Sequence, residues 1–232
     1  PFSLYSQSMP TDYYPTILIP AYQPNENLVK LIKALRQARA KQRIIVVDDG
    51  SDADKQIIFS KIQHLNVELL QHTKNKGKGQ ALKTGFQYWL ATSHPRDLGL
   101  VTADADGQHL PQDILHLCDA FMQKPSDLYL GKRTFNKVPI PWRSRIGNKL
   151  TKYILRLFSK TDLEDTQTGL RAIPRKLLPA LLSSNATGYE FELEMILIAE
   201  ENQVLIQEIP IKTVYIDHNN SSHFNPLIDS IK

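Results

Sequence analysis

The sequence predicts an α/β fold, a single domain with a mainly parallel central sheet flanked by helices. Apolar segments of strand length alternate with amphipathic segments of helix length along the first half of the chain, and polar clusters follow the apolar segments. Strands that alternate with helices form parallel sheets covered on both faces. Such sheets bind ligands at the carboxyl ends of their strands, so the polar clusters are expected to form one composite site.

Length and composition agree with this class. The chain has 232 residues, 41% of them hydrophobic and 22% charged, which is enough for one sizeable core. The net charge of +4 is too mild to predict nucleic-acid binding, and the single cysteine, Cys118, excludes a disulfide framework and a cysteine-rich zinc site. We expect a reducing, cytosolic environment. No apolar run approaches the roughly 20 residues of a membrane span.

Each element follows from a local pattern. Apolar runs predict strands at residues 16–20, 44–47, 67–70, 98–101 and 128–131. Helical spacing of apolar residues predicts helices after the cap Asn25, over 57–65, over 79–90 and after Pro111. The second half is less regular, with helices predicted over 146–157 and 190–199 and strands over 204–209 and 212–216.

We assign residues 1–14 to a leader or non-native segment and residues 15–232 to one domain, since no linker or repeat interrupts the chain. The sequence stops just after the apparent start of a helix. A longer protein that continues into C-terminal membrane helices is one interpretation.

The segment TADADGQH, residues 102–109, places Asp104, Asp106 and Gln108 two residues apart behind a predicted strand. Side chains of an extended segment alternate between faces, so all three are expected to project to one side. Two carboxylates this close repel each other unless a proton or cation lies between them, and their oxygens suit Mg²⁺ or Mn²⁺. A loop of solvated or helix-capping aspartates is the alternative.

Two further polar clusters follow the second and third strands. In VVDDGSD, Asp48 and Asp49 are placed either to bind a ribose hydroxyl or a base N–H or simply to cap a helix. In NKGKGQA, lysines and two glycines precede a helix, which favours contact with an anion. Neither a G-x-G-x-x-G nor a P-loop pattern is present.

A basic stretch covers residues 132–160. It contains nine cations and no acidic residue, and the apolar segment VPIPW interrupts it. A solvated face is the ordinary reading, but cations mixed with Trp and Pro also suit contact with a membrane surface. Nucleic acid ranks lower, because no recognition helix or base-stacking motif accompanies the stretch.

The order of motifs resembles the family 2 glycosyltransferases of GT-A (Rossmann-like) fold, in particular the polyprenyl-phosphate glycosyltransferases related to dolichol-phosphate mannose synthase. The resemblance runs from about residue 16 to residue 231. The motifs that carry it are ILIPAYQPNENL, IIVVDDGSD, NKGKGQALKTGF, TADADGQHLPQDI, LGKR, DTQTGLRAI, GYEFELEM and IDHNNSSHFNPLIDS.

The resemblance implies a role for each matching residue. Its nucleotide-sugar site would comprise Pro20, Ala21, Tyr22, Glu26, Asp48, Asp49, Lys76, Gly79, Asp104 and Asp106. A divalent cation, Mg²⁺ or Mn²⁺, would be held by Asp104, Asp106 and Gln108. The acceptor phosphate and sugar would meet Arg133, Arg143, Arg145, Arg171, Tyr189, Glu190 and His223, and the catalytic residues would be Asp106, Asp165 and Arg133. The chain has Tyr-Gln-Pro-Asn-Glu where the family more often has Tyr-Asn-Glu, and His223 where many relatives have lysine.

The implied activity is inverting transfer of a hexose from a UDP- or GDP-linked sugar to a polyprenyl phosphate at the cytoplasmic face of a membrane. A lipid phosphate is already an anionic nucleophile, so Asp165 is expected to orient or tune it rather than to remove a proton. Two alternatives stay open at this point. One is a soluble enzyme that uses a sugar or protein hydroxyl as acceptor, and the other is a non-catalytic module that binds nucleotide-sugars or partner proteins. Oligomerisation is open as well.

Overall fold

Strands and helices alternate from residue 16 onward in a computed structural model, which describes residues 14–134, 163, 165–166 and 168–212. The first half contains β1 (Thr16–Ala21), α1 (Glu26–Ala38), β2 (Ile44–Asp48), α2 (Gln56–Gln63), β3 (Glu68–Gln71), α3 (Lys78–Thr92), β4 (Gly99–Thr102), α4 (Pro111–Gln123) and β5 (Leu128–Thr134). The later part contains β6 (Arg171–Pro174), α5 (Leu178–Leu182), α6 (Glu190–Glu201) and β7 (Ile206–Lys212).

The strands of the described residues form one seven-stranded sheet in the order β3-β2-β1-β4-β6-β5-β7. Neighbours pair in parallel except at β6, which runs antiparallel to both β4 and β5. The predicted α/β fold with a mainly parallel sheet is therefore confirmed. The carboxyl ends of β1, β2 and β4 lie side by side, which brings the segments that follow these strands to one edge of the sheet.

Helices cover both faces of the sheet. Ile17 and Ile19 of β1 pack into a cluster with α1, α2 and α4, whereas Leu18 packs into a second cluster with α3, α5 and α6. This division follows from the alternation of side chains along a strand. On the second face, the buried indole of Trp89 donates a hydrogen bond to the Thr16 hydroxyl, 2.8 Å away, so α3 is tied to the start of β1.

The second half departs from the predictions in two places. Strand β6 was not predicted, because its four residues begin with Arg171 and end with Pro174, a composition that argues against a buried strand. Strands were predicted over 204–209 and 212–216, but up to residue 212 the structure has one continuous strand, β7. This strand runs through Pro210. Proline is tolerated there because β7 lies at an edge of the sheet. The helix predicted over 146–157 lies outside the described residues.

Candidate active site

The TADADGQH segment is not extended throughout, and this corrects the sequence prediction. The chain leaves β4 at Thr102 and turns at residues 105–107, where Gly107 has φ +87° and the Gln108 N–H donates to Asp106 Oδ1 at 2.9 Å. The directions of the Asp106 and Gln108 side chains therefore cannot be predicted from the alternation of side chains along a strand. The turn is anchored from α1, because the Asn27 side-chain amide donates to the Asp106 carbonyl at 2.8 Å.

Asp104 lies in a charged cluster with Lys78 and Glu192. The Lys78 ammonium is 2.7 Å from Asp104 Oδ1 and 3.0 Å from Glu192 Oε1, and the three side chains are 10–26% exposed. Burial would raise the pKa of Asp104, but the basic groups around it, Lys78 foremost, together outweigh burial and lower that pKa to about 2. Asp104 is therefore a permanent carboxylate that one cation already stabilises.

Asp106 has the opposite electrostatic environment. Burial and the negative charge of Asp104 raise the pKa of Asp106 to about 6. The charge repulsion expected from the sequence is thus present, and a further cation near Asp106 would relieve it.

His109 supports this loop. The Asp104 N–H donates to His109 Nδ1 at 3.1 Å, so Nδ1 is unprotonated and the ring proton resides on Nε2. Burial lowers the pKa of His109, which keeps the imidazole neutral. The contact with an anion predicted for the lysines of NKGKGQA stays a prediction. The ion pair of Lys78 with Glu192 was not predicted, because the two residues are distant along the chain. No role was predicted for His109, although its partner Asp104 is only five residues away.

Asp104 and Asp106 carry carboxylate oxygens, the kind of ligand that divalent cations prefer. Within the described residues no group of three or more His, Cys, Asp or Glu side chains could hold a metal. Mg²⁺, however, is ordinarily bound by one or two carboxylates and completes its coordination with water and substrate phosphates. A two-carboxylate site with a raised Asp106 pKa has the donor chemistry of such a cation.

Arg133 and Asp165 form a bidentate ion pair at the end of β5. Arg133 Nε and Nη2 donate to the two Asp165 oxygens at 2.6 and 2.9 Å, and the Arg133 N–H donates to Oδ2 at 3.1 Å. The Asp165 side chain is 1% exposed and that of Arg133 25%. Both oxygens of Asp165 are engaged by the arginine, whereas part of the guanidinium reaches the surface.

Arg171 occupies a position that differs from the predicted contact with the acceptor. It is 0% exposed, and its guanidinium donates to the backbone carbonyls of Thr168 and Thr166 at 2.9 and 3.0 Å and to that of Glu192. These bonds hold the segment before β6 against α6. In this arrangement Arg171 is a structural residue, and its side chain has no exposed surface that an acceptor could contact.

Asp48 and Asp49 have different partners although both are buried. Asp49 accepts hydrogen bonds from the Lys76 and Gly77 N–H groups at 2.9 Å each and lies 2.6 Å from His72 Nδ1. It therefore holds the NKGKG loop in place. Asp48 Oδ1 accepts from the Ser51 N–H at 2.9 Å, and its Oδ2 faces two glutamine side chains.

Several backbone N–H groups of the NKGKG loop and of the residue after it already donate hydrogen bonds to other parts of the protein. Besides the two bonded to Asp49, the Gly79 and Gln80 N–H groups donate to the Gly188 and Thr187 carbonyls at 3.1 and 2.9 Å. These bonds cap the start of α3, so the loop would contact an anion through its side chains rather than through a ring of amides. A Cβ at Gly79 would lie 2.6 Å from the Phe191 Cβ, which is why the loop can approach α6 so closely.

The remaining predicted residues are dispersed. Tyr22 follows β1 and is 39% exposed, beside Pro20 and Ala21. Glu26 forms a surface ion pair with Lys61. Tyr189 has the Lys78 ammonium 5.7 Å from its ring centroid, and Glu190 Oε1 accepts from the Thr187 and Gly188 N–H groups at 2.9 and 2.7 Å. Arg143, Arg145, His223 and residues 135–160 of the basic stretch lie outside the described residues.

Comparison with known proteins identifies the family. The model of glycosyl transferase family 2 matches residues 16–182, which is more than half of the chain. The chain belongs to glycosyl transferase family 2. It is a glycosyltransferase that uses a nucleotide-sugar, and both the predicted family and the predicted enzyme class are confirmed.

Relatives with named activities support the polyprenyl-phosphate subgroup. The chain is 30% identical to UDP-N-acetylglucosamine--dolichyl-phosphate N-acetylglucosaminyltransferase of Methanococcus voltae, over 91% of this chain and 90% of the relative. It is 28% identical to polyprenol monophosphomannose synthase of Mycolicibacterium smegmatis, over 84% and 75%. It is also 28% identical to dolichyl-phosphate beta-glucosyltransferase of Saccharomyces cerevisiae, over 94% and 71%.

Solved structures agree on the fold. Glucosyl-3-phosphoglycerate synthase of Mycobacterium tuberculosis, crystallised with Mn²⁺ and UDP, superposes with a TM-score of 0.68 at 18% identity, over 87% of this chain and 71% of that one. This likeness confirms the GT-A architecture. None of the helices in residues 14–134 and 168–212 combines the length and the apolar character that crossing a membrane requires.

Proposed function

We propose that this family 2 enzyme transfers a hexose from a UDP- or GDP-linked donor to a polyprenyl phosphate, with inversion and with Mg²⁺ or Mn²⁺, at the cytoplasmic face of a membrane. The named relatives support this acceptor class, since two are named for dolichyl phosphate and the third is named as a polyprenol monophosphomannose synthase. The solved neighbour that contains Mn²⁺ and UDP supports a divalent cation.

The observation that carries the acceptor assignment is the Arg133–Asp165 pair. A hydroxyl acceptor needs a base that can take its proton, and a base must have an oxygen within hydrogen-bond reach of that proton. Both Asp165 oxygens face Arg133, and the Asp165 side chain is only 1% exposed, so it presents little surface to a substrate hydroxyl. A phosphate monoester needs no such base, and a guanidinium binds phosphate oxygens through paired, charge-assisted hydrogen bonds. Arg133 would bind the lipid phosphate, and Asp165 would fix the direction of Arg133.

Bond cleavage places negative charge on the departing nucleoside diphosphate. When bound by Asp104 and Asp106, with Gln108 as a further predicted ligand, the cation supplies a Lewis acid that stabilises this charge. Lys78 keeps Asp104 ionised and in place. The phosphate oxygen held by Arg133 then attacks the anomeric carbon opposite the leaving group, and a single displacement inverts that carbon.

Transfer assays test this proposal with a panel of UDP- and GDP-sugars, with and without polyprenyl phosphate, and with Mg²⁺, Mn²⁺ or EDTA. We expect glycolipid only when both the lipid phosphate and a divalent cation are present. Asp106→Ala should reduce transfer by at least about 100-fold, whereas Asp54→Ala, at an exposed aspartate outside the site, should not. Transfer that proceeds without any lipid phosphate would show that the acceptor is wrong.

Asp165→Asn separates the two acceptor classes. If Asp165 only orients Arg133, the variant should raise KM for polyprenyl phosphate by about 10- to 100-fold, since hydrogen bonds to charged groups contribute about 1.5–3 kcal/mol, and should change kcat little. A loss of about 10²–10⁴-fold confined to kcat, with KM unchanged, is the signature of a missing general base. That result would favour a hydroxyl acceptor.

We propose that the basic stretch of the sequence, residues 132–160, makes the contact with the membrane. Cations near an anionic leaflet contribute about 1 kcal/mol each, so several of them can hold a peripheral enzyme beside its lipid acceptor.

A further inference from the structure

Asp48 lies beneath two glutamine side chains at the edge of the sheet. Gln56 Nε2 is 3.2 Å and Gln71 Nε2 is 3.4 Å from Asp48 Oδ2, and Gln71 Nε2 is also 3.1 Å from Gln56 Oε1. A carboxylate only accepts hydrogen bonds, so both glutamines turn their NH₂ groups toward it. One acceptor oxygen is thereby flanked by two amide donors.

The two oxygens of Asp48 are not equivalent. Oδ1 accepts the Ser51 N–H at 2.9 Å within the turn after β2, so it is committed to the backbone. The two bonds to Oδ2 are at the long end of the range for hydrogen bonds. Gln71 is exposed and Gln56 half-buried, so their side chains can move aside for a ligand. A ligand can therefore replace the partners of Oδ2 without breaking the backbone turn that Oδ1 holds.

This arrangement lies where a nucleotide is expected. Ala21, Asp48 and Gln71 are in register across β1, β2 and β3, at the carboxyl ends of three neighbouring parallel strands. Tyr22, the next residue after β1, is 39% exposed. Ligands of open parallel sheets bind at this edge.

We propose that Gln56 and Gln71 select a uracil base, so that the donor is a UDP-linked sugar. The inference rests on the proposed function, since it assigns the base pocket of the same donor site. Uracil presents one donor, N3–H, between two acceptors, O4 and O2. The N3–H would donate to Asp48 Oδ2, and the two carbonyl oxygens would accept from the displaced NH₂ groups of Gln56 and Gln71.

Other bases match this pattern less well. Guanine presents two adjacent donors, N1–H and N2–H, and only one acceptor, O6, beside N1–H, so it offers an acceptor to only one of the two glutamines. One guanine donor would therefore face a glutamine NH₂ group. Cytosine presents a donor with acceptors on only one side, so it would leave one glutamine unmatched. A donor that faces another donor loses its hydrogen bond when the base binds, which lowers the affinity for guanine and cytosine relative to uracil.

Titration calorimetry with UDP, CDP and GDP at one fixed Mn²⁺ concentration tests the inference on the whole chain. We expect affinity to fall in the order UDP, CDP, GDP, with UDP at least about tenfold tighter than GDP, because a single unmatched polar contact has about this effect. Equal or tighter binding of GDP or CDP would overturn the inference.

Two substitutions of similar volume examine the residues themselves. Gln56→Leu and Gln71→Leu remove the donors but keep the bulk, so each should weaken UDP by about tenfold and GDP much less, which narrows the ratio of the two dissociation constants. Gln37→Leu, at an exposed glutamine of α1, is the matched control and should leave the ratio unchanged. Circular dichroism melting of all three variants reports whether they are folded. An unchanged ratio in folded Gln56→Leu and Gln71→Leu would overturn the assignment.

The outcome is separable from that of the proposed function. Tight, selective UDP binding together with transfer to a hydroxyl would leave this inference standing and would remove the lipid acceptor. Transfer to polyprenyl phosphate from GDP-sugars alone would support the lipid acceptor and would overturn the assignment of a uracil pocket.

Discussion

At the scale of single residues, the site depends on charges that are buried together. Lys78 lies between Asp104 and Glu192 at 2.7 and 3.0 Å, and burial would by itself lower the pKa of this lysine. The two carboxylates raise it instead, so the ammonium is permanent. Removing one partner of a buried ion pair leaves an uncompensated charge, which is more costly than the loss of the contact itself.

We therefore expect Lys78→Met to lower the free energy of unfolding by about 3 kcal/mol, as measured by urea denaturation. Lys78→Arg keeps the positive charge, so it should lower the free energy of unfolding by less than Lys78→Met does. The double variant Lys78→Met/Glu192→Gln also removes one of the unpaired carboxylates, so it should be more stable than Lys78→Met alone. If the single and double variants were equally stable, Glu192 would not be coupled to Lys78.

At the scale of elements, the start of α3 is tightly joined to the loop before α6. The Gly79 and Gln80 N–H groups donate to the Gly188 and Thr187 carbonyls. A Cβ at position 79 would lie 2.6 Å from the Phe191 Cβ and 2.9 Å from the Gly188 carbonyl oxygen. This joint positions Lys78 opposite Glu192, so a local change in packing would reach the charged cluster.

Two glycine substitutions in α3 test how tightly the start of this helix packs against the loop before α6. Gly79→Ala meets backbone and a Cβ that cannot move alone, so it should destabilise the protein by about 2 kcal/mol in spite of the better helix propensity of alanine. Gly85→Ala meets the ends of the Leu18 side chain at 2.4 and 2.6 Å, which have more freedom to shift. Gly85→Ala should therefore lower the free energy of unfolding by less than Gly79→Ala does in the same denaturation experiment. The opposite ranking would show that α3 and α6 separate easily.

At the scale of the whole molecule, Cys118 of α4 reports on cooperativity. It is the single cysteine of the chain, it is 0% exposed in the cluster beneath α1, α2 and α4, and burial raises the pKa of its thiol to about 12. The thiol is therefore both covered and protonated near neutral pH.

We expect Ellman's reagent to label the native protein far more slowly than the urea-unfolded protein. If residues 15–232 are one domain, as the sequence predicts, the dependence of labelling on urea should follow the loss of helix measured by circular dichroism. Labelling that is complete well before the helices unfold would show that α4 opens independently. Cys118→Ser, which cannot react, gives the background.

The sequence by itself determined the order of strands and helices in the first half. Alternation along strands and helical spacing are local properties, so β1 to β5 could be predicted from neighbouring residues. The same patterns located the polar segments after the strands, and the order of the motifs indicated the family before any contact was known. Asp104, Arg133 and Asp165 were all singled out in this way.

Only the tertiary structure decided which of these groups meet. Arg133 and Asp165 were predicted separately and turned out to be bonded to each other, and Lys78 reached Asp104 and Glu192 from a different loop. Strand β6 was missed because a strand that begins with arginine looks exposed, yet Arg171 is fully buried against three backbone carbonyls. The physical reason is common to these cases: the energy of a buried charge depends on partners that are distant along the chain, and no local pattern encodes them.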